Sequence, residues 1–334
     1  MRKRNLITLI FGLVIGTLLL IAWLHFNPLQ EIRNQFANLN YKWVLLASIV
    51  YLSAYFIRSW RWNLLLRMEN KPGLFKTWMY AMGGNLVNYV IPIRLGDVVR
   101  AWFIKRNQGV PILKTLPSVF IDKAFDTLGI FFVLILLPFL AVEVSLAMMV
   151  LLCLLIVVFV LTIGLLLFAA WHKDFVIKVL QSLVSWLPAK IREKLNFGII
   201  LFIGELNLFE HNPTVLLFAV VLTACGVLLD GTYFFLLFTA FGISYPFALA
   251  MFGYTLINLS YALPQPPIQL GSNEWMMIIV FSIGFGLTKS SASAIMAFAH
   301  ILTFFLMTAC GTFAFIVSGK EVISKIFKGE KIDD

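Results

Sequence analysis

The sequence predicts an all-α, polytopic membrane protein, a helical bundle of about six full spans plus two re-entrant hairpins of broken helix. Two observations lead to this fold class. First, 61% of the 334 residues are hydrophobic and only 13% are charged, which is more apolar than a soluble domain of this length can bury in its own core. Second, the apolar residues form long continuous runs, whereas the strands of a membrane barrel would alternate over about ten residues. We therefore predict one integral membrane domain over residues 1–334.

Six apolar runs are each about long enough to cross a bilayer, which needs roughly 20 helical residues. They are Leu6–Leu24, Trp43–Ile57, Val119–Leu140, Leu146–Ala170, Val215–Phe241 and Ala292–Val317. The first run is too long for a signal peptide, and the residues HFNPLQEIRN after it lack a small-residue cleavage site. We expect it to be a retained span.

The net charge is +10, and the basic residues that produce it cluster at the ends of these runs. Basic clusters precede the first run, follow the second, occupy residues 173–194 and close the chain. The positive-inside rule assigns all four clusters to the cytoplasm, which predicts a multi-pass protein of the cell membrane with both termini inside. Because position explains the charge, we expect no nucleic-acid partner. Arg58, Arg61, Trp60 and Trp62 fit a belt at the cytoplasmic interface.

A first polar interruption, NLVNYVIPIRLGDVVR, occupies residues 85–100. The apolar stretch before Pro92 is about fifteen residues, too short to cross, and Pro92 and Gly96 break the helix. The charge rule then returns Arg100 to the cytoplasm. We predict a re-entrant hairpin over residues 77–106 whose broken turn lines a cavity, since non-helical backbone at depth must be shielded from lipid.

A second interruption, PQPPIQLGSNEW, divides residues 248–287 into two short apolar arms. Pro264, Pro266 and Gly271 supply the helix-breaking residues of this turn. The same reasoning predicts a second hairpin, here entering from the outside.

The two interruptions resemble each other, which predicts an inverted repeat. Asn88, Pro92, Gly96 and Asp97 in the first half resemble Asn258, Pro264, Gly271 and Glu274 in the second. The halves span residues 43–170 and 213–318, and residues 173–211 between them read as amphipathic helices at the cytoplasmic surface. Opposed broken helices that meet near the midplane are typical of transporters.

These motifs also resemble a known family. NLVNYVIPIRLGDVVRAWFIKR followed by VFIDKAFDTLG, and later LPQPPIQLGSNEW, are similar to the motifs of the lysylphosphatidylglycerol synthase transmembrane-region family, the flippase-like domain of multiple peptide resistance factors. The resemblance implies a lipid-translocating fold. The positions of the family motifs fall on Asn88, Pro92, Arg94, Gly96, Asp97 and Arg100, on Asp122, Lys123 and Asp126, and on Pro264, Pro266, Gly271 and Glu274. Three residues differ from the family pattern: Asp97 stands where the family usually has glutamate, and Lys123 and His300 stand where it usually has arginine. The soluble acyltransferase domain of bifunctional members is missing, so we expect no enzymatic activity.

Six residues are candidates for binding the substrate: Asn88, Arg94, Asp97, Arg100, Asn258 and Glu274. Arginine forks suit a lipid phosphate, and Asp97 suits either an arginine or a cationic headgroup. Two alternatives remain open at this point. Arg94, Asp97 and Arg100 can form an ion pair that only holds the turn together, and Arg100 can reach the cytoplasmic rim.

Ion or proton coupling has five candidates: Asp122, Lys123, Asp126, Asp230 and His300. Asp122 and Asp126 stand one helical turn apart, so they share a face and one of them can hold a proton unless Lys123 neutralises them. A buried network that ties this span to the first hairpin is the alternative. Glu274 and His300, with Asp230, are a second proton route, against the alternative that His300 only bonds a neighbour.

The residues predict a lipid translocase that moves or binds a polar headgroup in a midplane cavity. The alternative is a membrane subunit that presents lipid to a separate aminoacyl- or glycosyltransferase. Nucleophile elbow, P-loop, HExxH and CxxC motifs are missing from the sequence, so we expect no hydrolysis, cofactor or metal. The expected partners are membrane lipids: phospholipid, aminoacyl-lipid or polyprenyl-linked lipid. A homo-oligomer or a partner transferase is left open.

Overall fold

The computed structural model describes residues 3–134 and 212–318, apart from 28, 38, 67, 92–94 and 262–264, together with residues 172–186 and isolated positions between 157 and 200. Within these residues every regular element is a helix. The predicted all-α class is therefore confirmed. The residues Pro92, Arg94 and Pro264 lie outside the described part of the chain, as does the predicted run Leu146–Ala170 apart from three isolated positions.

The helices follow one another in this order. They are α1 (Lys3–Phe26), α2 (Leu29–Phe36), α3 (Tyr41–Leu65), α4 (Leu74–Val90), α5 (Gly96–Gln108), α6 (Ile112–Leu134), α7 (Lys173–Leu183), α8 (Pro213–Ala240), α9 (Phe247–Ser260), α10 (Ser272–Met277) and α11 (Lys289–Ser318). A short 3-10 turn, Pro267–Gln269, precedes α10, and a π-helical segment, Ile278–Gly284, continues it.

Three described helices, α3, α8 and α11, are long and apolar enough to cross a membrane. Large apolar side chains cover their outer faces, for example Leu217, Phe218 and Phe305, each more than half exposed. A soluble protein rarely leaves such continuous apolar surface in water. The chain is thus a membrane protein with several apolar helices.

Helices α4 and α5 form the first helix pair, separated by residues 91–95 and packed against each other. A methyl group added at Gly84 would lie 2.6 Å from the carbonyl oxygen of Gly96, so this crossing requires glycine. The backbone N–H of Gly96 donates to Asn88 Oδ1 at 2.6 Å. Asn88 on α4 thus satisfies the first backbone donor of α5 across the break.

Helices α9 and α10 form the second helix pair, separated by residues 261–271. Ile268 and Gln269 have φ of 59° and 58°, and Gly271 has φ of 77°, so three nearby residues hold left-handed backbone that only glycine adopts readily. Helix α1 supports this turn. Gly16 lies against Pro266, and Trp275 donates its indole N–H to the Leu19 carbonyl oxygen at 3.0 Å.

The two helix pairs meet on α11. Helix α4 packs along α11 and also contacts the 3-10 turn of the second pair. The rings of Tyr89 on α4 and His300 on α11 are 6.5 Å apart. The breaks of the two pairs therefore lie close to each other, beside the extensive contact of α3 with α8.

The predicted cytoplasmic segment, residues 173–211, begins with α7, which has no buried residue. Its apolar residues gather along one side, as expected of a helix that lies on a surface. Most of the segment after α7 lies outside the described residues.

Candidate functional site: a polar cavity between the broken helices

A cavity of about 410 Å³ lies where the two helix pairs, α3, α6, α8 and α11 meet. Residues from the predicted site line much of its wall. They are Asn88, Asp97, Arg100, Asp122, Lys123, Asp126, Asp230, Asn258, Pro266 and His300. Residues that are 200 positions apart in the chain thus share one hollow.

Arg61 on α3 lies behind the wall and is the most deeply buried cation of the described residues, with 1% of its surface exposed. Its Nε donates to Asp122 Oδ1 at 2.8 Å, and Nη2 donates to Asp126 Oδ1 at 2.6 Å. Nη1 donates to Thr223 Oγ1 at 2.9 Å. One guanidinium therefore joins α3 to α6 and α8, and it explains why two aspartates can be tolerated on the same face of α6.

Arg58, one turn before Arg61, forms a two-pronged ion pair with both carboxylate oxygens of Asp230 on α8. Its Nε lies 3.4 Å from Asp126 Oδ1. Planar pairing of this kind fixes both position and orientation. The contact fastens α3 to α8 at the cavity wall.

Arg100 on α5 is also buried, with 5% of its surface exposed. It donates to Asp122 Oδ2 at 3.3 Å and to Asn85 Oδ1 at 2.8 Å, and it lies 5.5 Å over the Trp62 ring. Arg100 therefore does not reach the rim. Its contact with Asp122 ties α6 to the first helix pair, which is the buried network left open by the sequence.

Asp97 and Lys123 line the cavity with weaker partners. Asp97 Oδ1 accepts from Asn88 Nδ2 at 3.3 Å. The Lys123 ammonium is 3.9 Å from Asp126 Oδ2, beyond hydrogen-bond distance, and about a third of its side chain is exposed. Of the groups described here, these two have the most freedom to contact a ligand.

The charges of this wall balance when Arg61, which lies behind it, is included. Arg58, Arg61, Arg100 and Lys123 supply four positive charges, and Asp97, Asp122, Asp126 and Asp230 supply four negative ones, counted over the described residues. A buried charge is tolerated only with a partner. We call Arg58, Arg61, Arg100, Asp122, Asp126 and Asp230 the arginine cluster.

Glu274 and His300 form a separate pair at the second break. His300 Nδ1 is 2.5 Å from Glu274 Oε1, and His300 Nε2 is 2.8 Å from the Ile268 carbonyl oxygen. Both side chains are buried. The structure thus brings together the two residues predicted to form the second proton route, but it places Asp230 with Arg58 instead.

Tyrosines and amides complete the wall, and the sequence reading did not single them out. The tyrosines are Tyr51, Tyr55, Tyr89, Tyr233, Tyr254 and Tyr261, and the amides of the second break are Gln265, Gln269 and Asn273. The Tyr233 hydroxyl is buried without a protein hydrogen-bond partner. Aromatic faces with a few convergent polar groups are typical of ligand pockets.

Arg58 and Arg61 were also misread. Their position at the end of an apolar run indicated the cytoplasmic interface, yet both belong to the arginine cluster, and Trp62 beside them is fully buried. The available signal was the three-residue spacing of the two arginines, which places them on one face of a helix but does not identify their partners. Within the described residues, no three His, Cys, Asp or Glu side chains are grouped to hold a metal ion.

The family model described as the lysylphosphatidylglycerol synthase TM region matches residues 9–311. The chain belongs to this family. A UPF0104 membrane protein of Methanocaldococcus jannaschii is 22% identical over 94% of this chain and 96% of the relative. A second UPF0104 membrane protein, from Methanothermobacter thermautotrophicus, is 25% identical over 95% of this chain and 92% of the relative.

A third relative, the glycosyltransferase AglD of Haloferax volcanii, is 27% identical over 37% of this chain and 20% of its own length. No solved structure matches. The two UPF0104 relatives align over nearly their whole lengths, so they carry the transmembrane region and little besides. The family match confirms the family predicted from the motifs, and the description of that family refers to a synthase of a lipid.

Proposed function

We propose that this protein is a lipid translocase that admits a polar headgroup into the cavity while the acyl chains stay in the bilayer. One observation carries the proposal: a polar cavity lies between two broken helix pairs of a membrane protein. Moving a headgroup between leaflets requires shielding it from hydrocarbon throughout, because unpaired polar groups in lipid cost several kcal/mol, of order 2–7 each.

In the proposed topology, about six spans and two re-entrant hairpins, residues 77–106 and 248–287, form an inverted repeat. Its halves are residues 43–170 and 213–318, and both termini are cytoplasmic. The contact between α4 and the second break supports this arrangement, because opposed hairpins are expected to meet at the centre. The amphipathic helix α7 belongs at the cytoplasmic surface.

The headgroup is proposed to contact Asn88, Arg94, Asp97, Arg100 and Asn258 directly. It is proposed to interact with Glu274 through His300, which lines the cavity. Lys123 joins them, because its ammonium lines the cavity and its contact with Asp126 Oδ2, at 3.9 Å, is longer than a hydrogen bond. The rest of the arginine cluster then serves as scaffold, since the guanidiniums of Arg58 and Arg61 already have carboxylate partners.

Reconstitution into liposomes tests the proposal. Labelled anionic, amine-bearing and polyprenyl-linked lipids are placed in one leaflet, and their movement to the other is followed by quenching. We expect at least one class to move faster than in protein-free liposomes. If every class moves at the protein-free rate, the translocase proposal is wrong.

The match to a glycosyltransferase favours a second candidate, a membrane subunit that presents lipid to a separate transferase. Native mass spectrometry of retained lipids, for the wild type and Arg94→Ala, separates the candidates when it is combined with the leaflet assay. Specific lipid retention without accelerated movement supports presentation. Retention of the same lipids by both proteins would remove Arg94 from the proposed site.

A further inference from the structure

The geometry of Glu274 and His300 points to a bound proton. The Ile268 carbonyl oxygen only accepts hydrogen bonds, so His300 Nε2, 2.8 Å away, must carry a hydrogen. His300 Nδ1 and Glu274 Oε1 are 2.5 Å apart. Two lone pairs cannot approach so closely, so a second proton lies between them, on the ring or on the carboxyl group. The pair therefore holds one proton more than a neutral histidine beside a carboxylate.

We propose that Glu274 and His300 are the binding site of a coupling proton, and that its release frees the turn of the second break. This inference rests on the proposed function and names its coupling ion. When the proton leaves, one ring hydrogen remains. The carboxylate, a charged acceptor, draws that hydrogen to Nδ1, and Nε2 then presents a lone pair to the Ile268 carbonyl. The turn loses its donor.

The backbone of this turn is in a conformation that depends on the hydrogen bond from His300. Ile268 is β-branched and has φ of 59°, and Gln269 follows at 58°. Such backbone persists only where its surroundings hold it. The hydrogen bond from His300 is one of these restraints, and the contact of Asn273 Nδ2 with Gln269 Oε1 at 3.0 Å is another. Losing the first restraint lets the Ile268 peptide relax.

Relaxation of the Ile268 peptide would change the shape of the cavity wall. Gln269 and Pro266 belong to the cavity wall, and the 3-10 turn contacts α4 in the first helix pair. A change at Ile268 therefore alters both the wall and the junction between the two helix pairs. Proton release and headgroup movement would share this element, which is what coupling requires.

Other titratable groups face the pair. Tyr89 approaches from α4, with its ring 6.5 Å from that of His300, and Tyr261 approaches from the second break. Neither carries charge near neutral pH. Among the described residues, α1 contributes Leu19 and Leu20 to this region, which do not titrate. Histidine is the side chain whose ordinary pKa lies nearest neutral pH.

Hydrogen–deuterium exchange of the full chain in lipid nanodiscs, without added substrate, tests the proposal. Exchange is measured between about pH 5 and 8 and corrected for the intrinsic pH dependence of amide exchange. We expect protection of residues 265–277 to fall about tenfold or more in the wild type as the pH rises, because a tenfold change corresponds to losing one strong interaction. His25→Arg, at an exposed histidine near the end of α1, is the control and should behave as the wild type.

Two variants are designed to keep the restraint on the turn at every pH. Glu274→Gln offers an amide donor to Nδ1, and His300→Arg keeps a permanent charge beside Glu274. Both should retain high, pH-independent protection, whereas His300→Ala should show low protection throughout. Equal protection in the wild type and Glu274→Gln across the range would overturn the proton site. Because no lipid movement is measured, this result is independent of the leaflet assay.

Discussion

The arginine cluster and the Glu274–His300 pair meet the same requirement in different ways. Both place buried ionisable groups beside the cavity. The arginine cluster uses guanidiniums, which stay charged at any physiological pH, and joins α3, α5, α6 and α8. The second pair uses an imidazole, whose charge depends on pH. The difference suggests a rigid wall on one side of the cavity and an adjustable turn on the other.

Removing Arg61 is expected to have the largest effect. Arg61→Met leaves Asp122 and Asp126 without their shared buried donor, and breaking such a pair costs about 3–5 kcal/mol of unfolding free energy. Denaturant titration in mixed micelles measures the loss, with Arg33→Met, at an exposed arginine of α2, as control. The loss should not shrink between about pH 6 and pH 8, because the carboxylates left without Arg61 stay charged as the pH rises.

The same measurement on His300→Ala sharpens the contrast. The wild-type pair stabilises the turn while its proton is bound, which is at low pH, and that contribution disappears as the pH rises. The destabilisation caused by His300→Ala should therefore shrink as the pH rises through the titration of the pair. A constant difference would show that the two regions do not differ as described.

The glycines of the two helix pairs provide a smaller effect. A methyl group at Gly96 meets the backbone oxygen of Gly84, which cannot turn away, whereas at Gly253 it meets the Phe281 ring. Gly96→Ala should cost about 1–3 kcal/mol, and Gly253→Ala less, because a ring can shift. Gly73→Ala, with no atom within 4 Å, is the matched control. Equal losses at Gly96 and Gly73 would refute the close crossing of α4 and α5.

Thr223→Val should have the smallest effect. It removes the neutral acceptor of Arg61 Nη1 and keeps the shape of the side chain. We expect a loss of about 1.5 kcal/mol, the low end for a hydrogen bond to a charged group, because both carboxylates still hold Arg61. Thr232→Val on the same helix, at an exposed position, is the control. A loss as large as that of Arg61→Met would mean that the carboxylates are not the main partners.

Much of the architecture could be predicted from the sequence because helix breakers and apolar length are local signals. The short apolar run before Pro92 predicted a helix, a break and a second helix, and so did the interruption PQPPIQLGSNEW. The structure has a break at both places. The pairing of Glu274 with His300 was also expected, from the correspondence between the two motifs.

The partners of the arginines could not be predicted in this way. Arg58 meets Asp230 across 172 positions, and Arg61 meets Asp122 across 61. Nothing in a single sequence relates such distant positions, and an arginine at the end of an apolar run reads equally well as an interfacial anchor. The tyrosine lining was missed for a similar reason, because tyrosine on an apolar helix is ordinary until the facing helices are known.

The central claim is that the cavity carries the headgroup. The most direct measurement compares leaflet movement of labelled lipid by the wild type, Asn258→Trp, which fills the cavity, and Ile283→Trp, at a side chain that is 76% exposed on the outer surface. We predict that the wild type and Ile283→Trp accelerate movement and that Asn258→Trp, correctly folded, does not. Unchanged acceleration by Asn258→Trp would contradict the account.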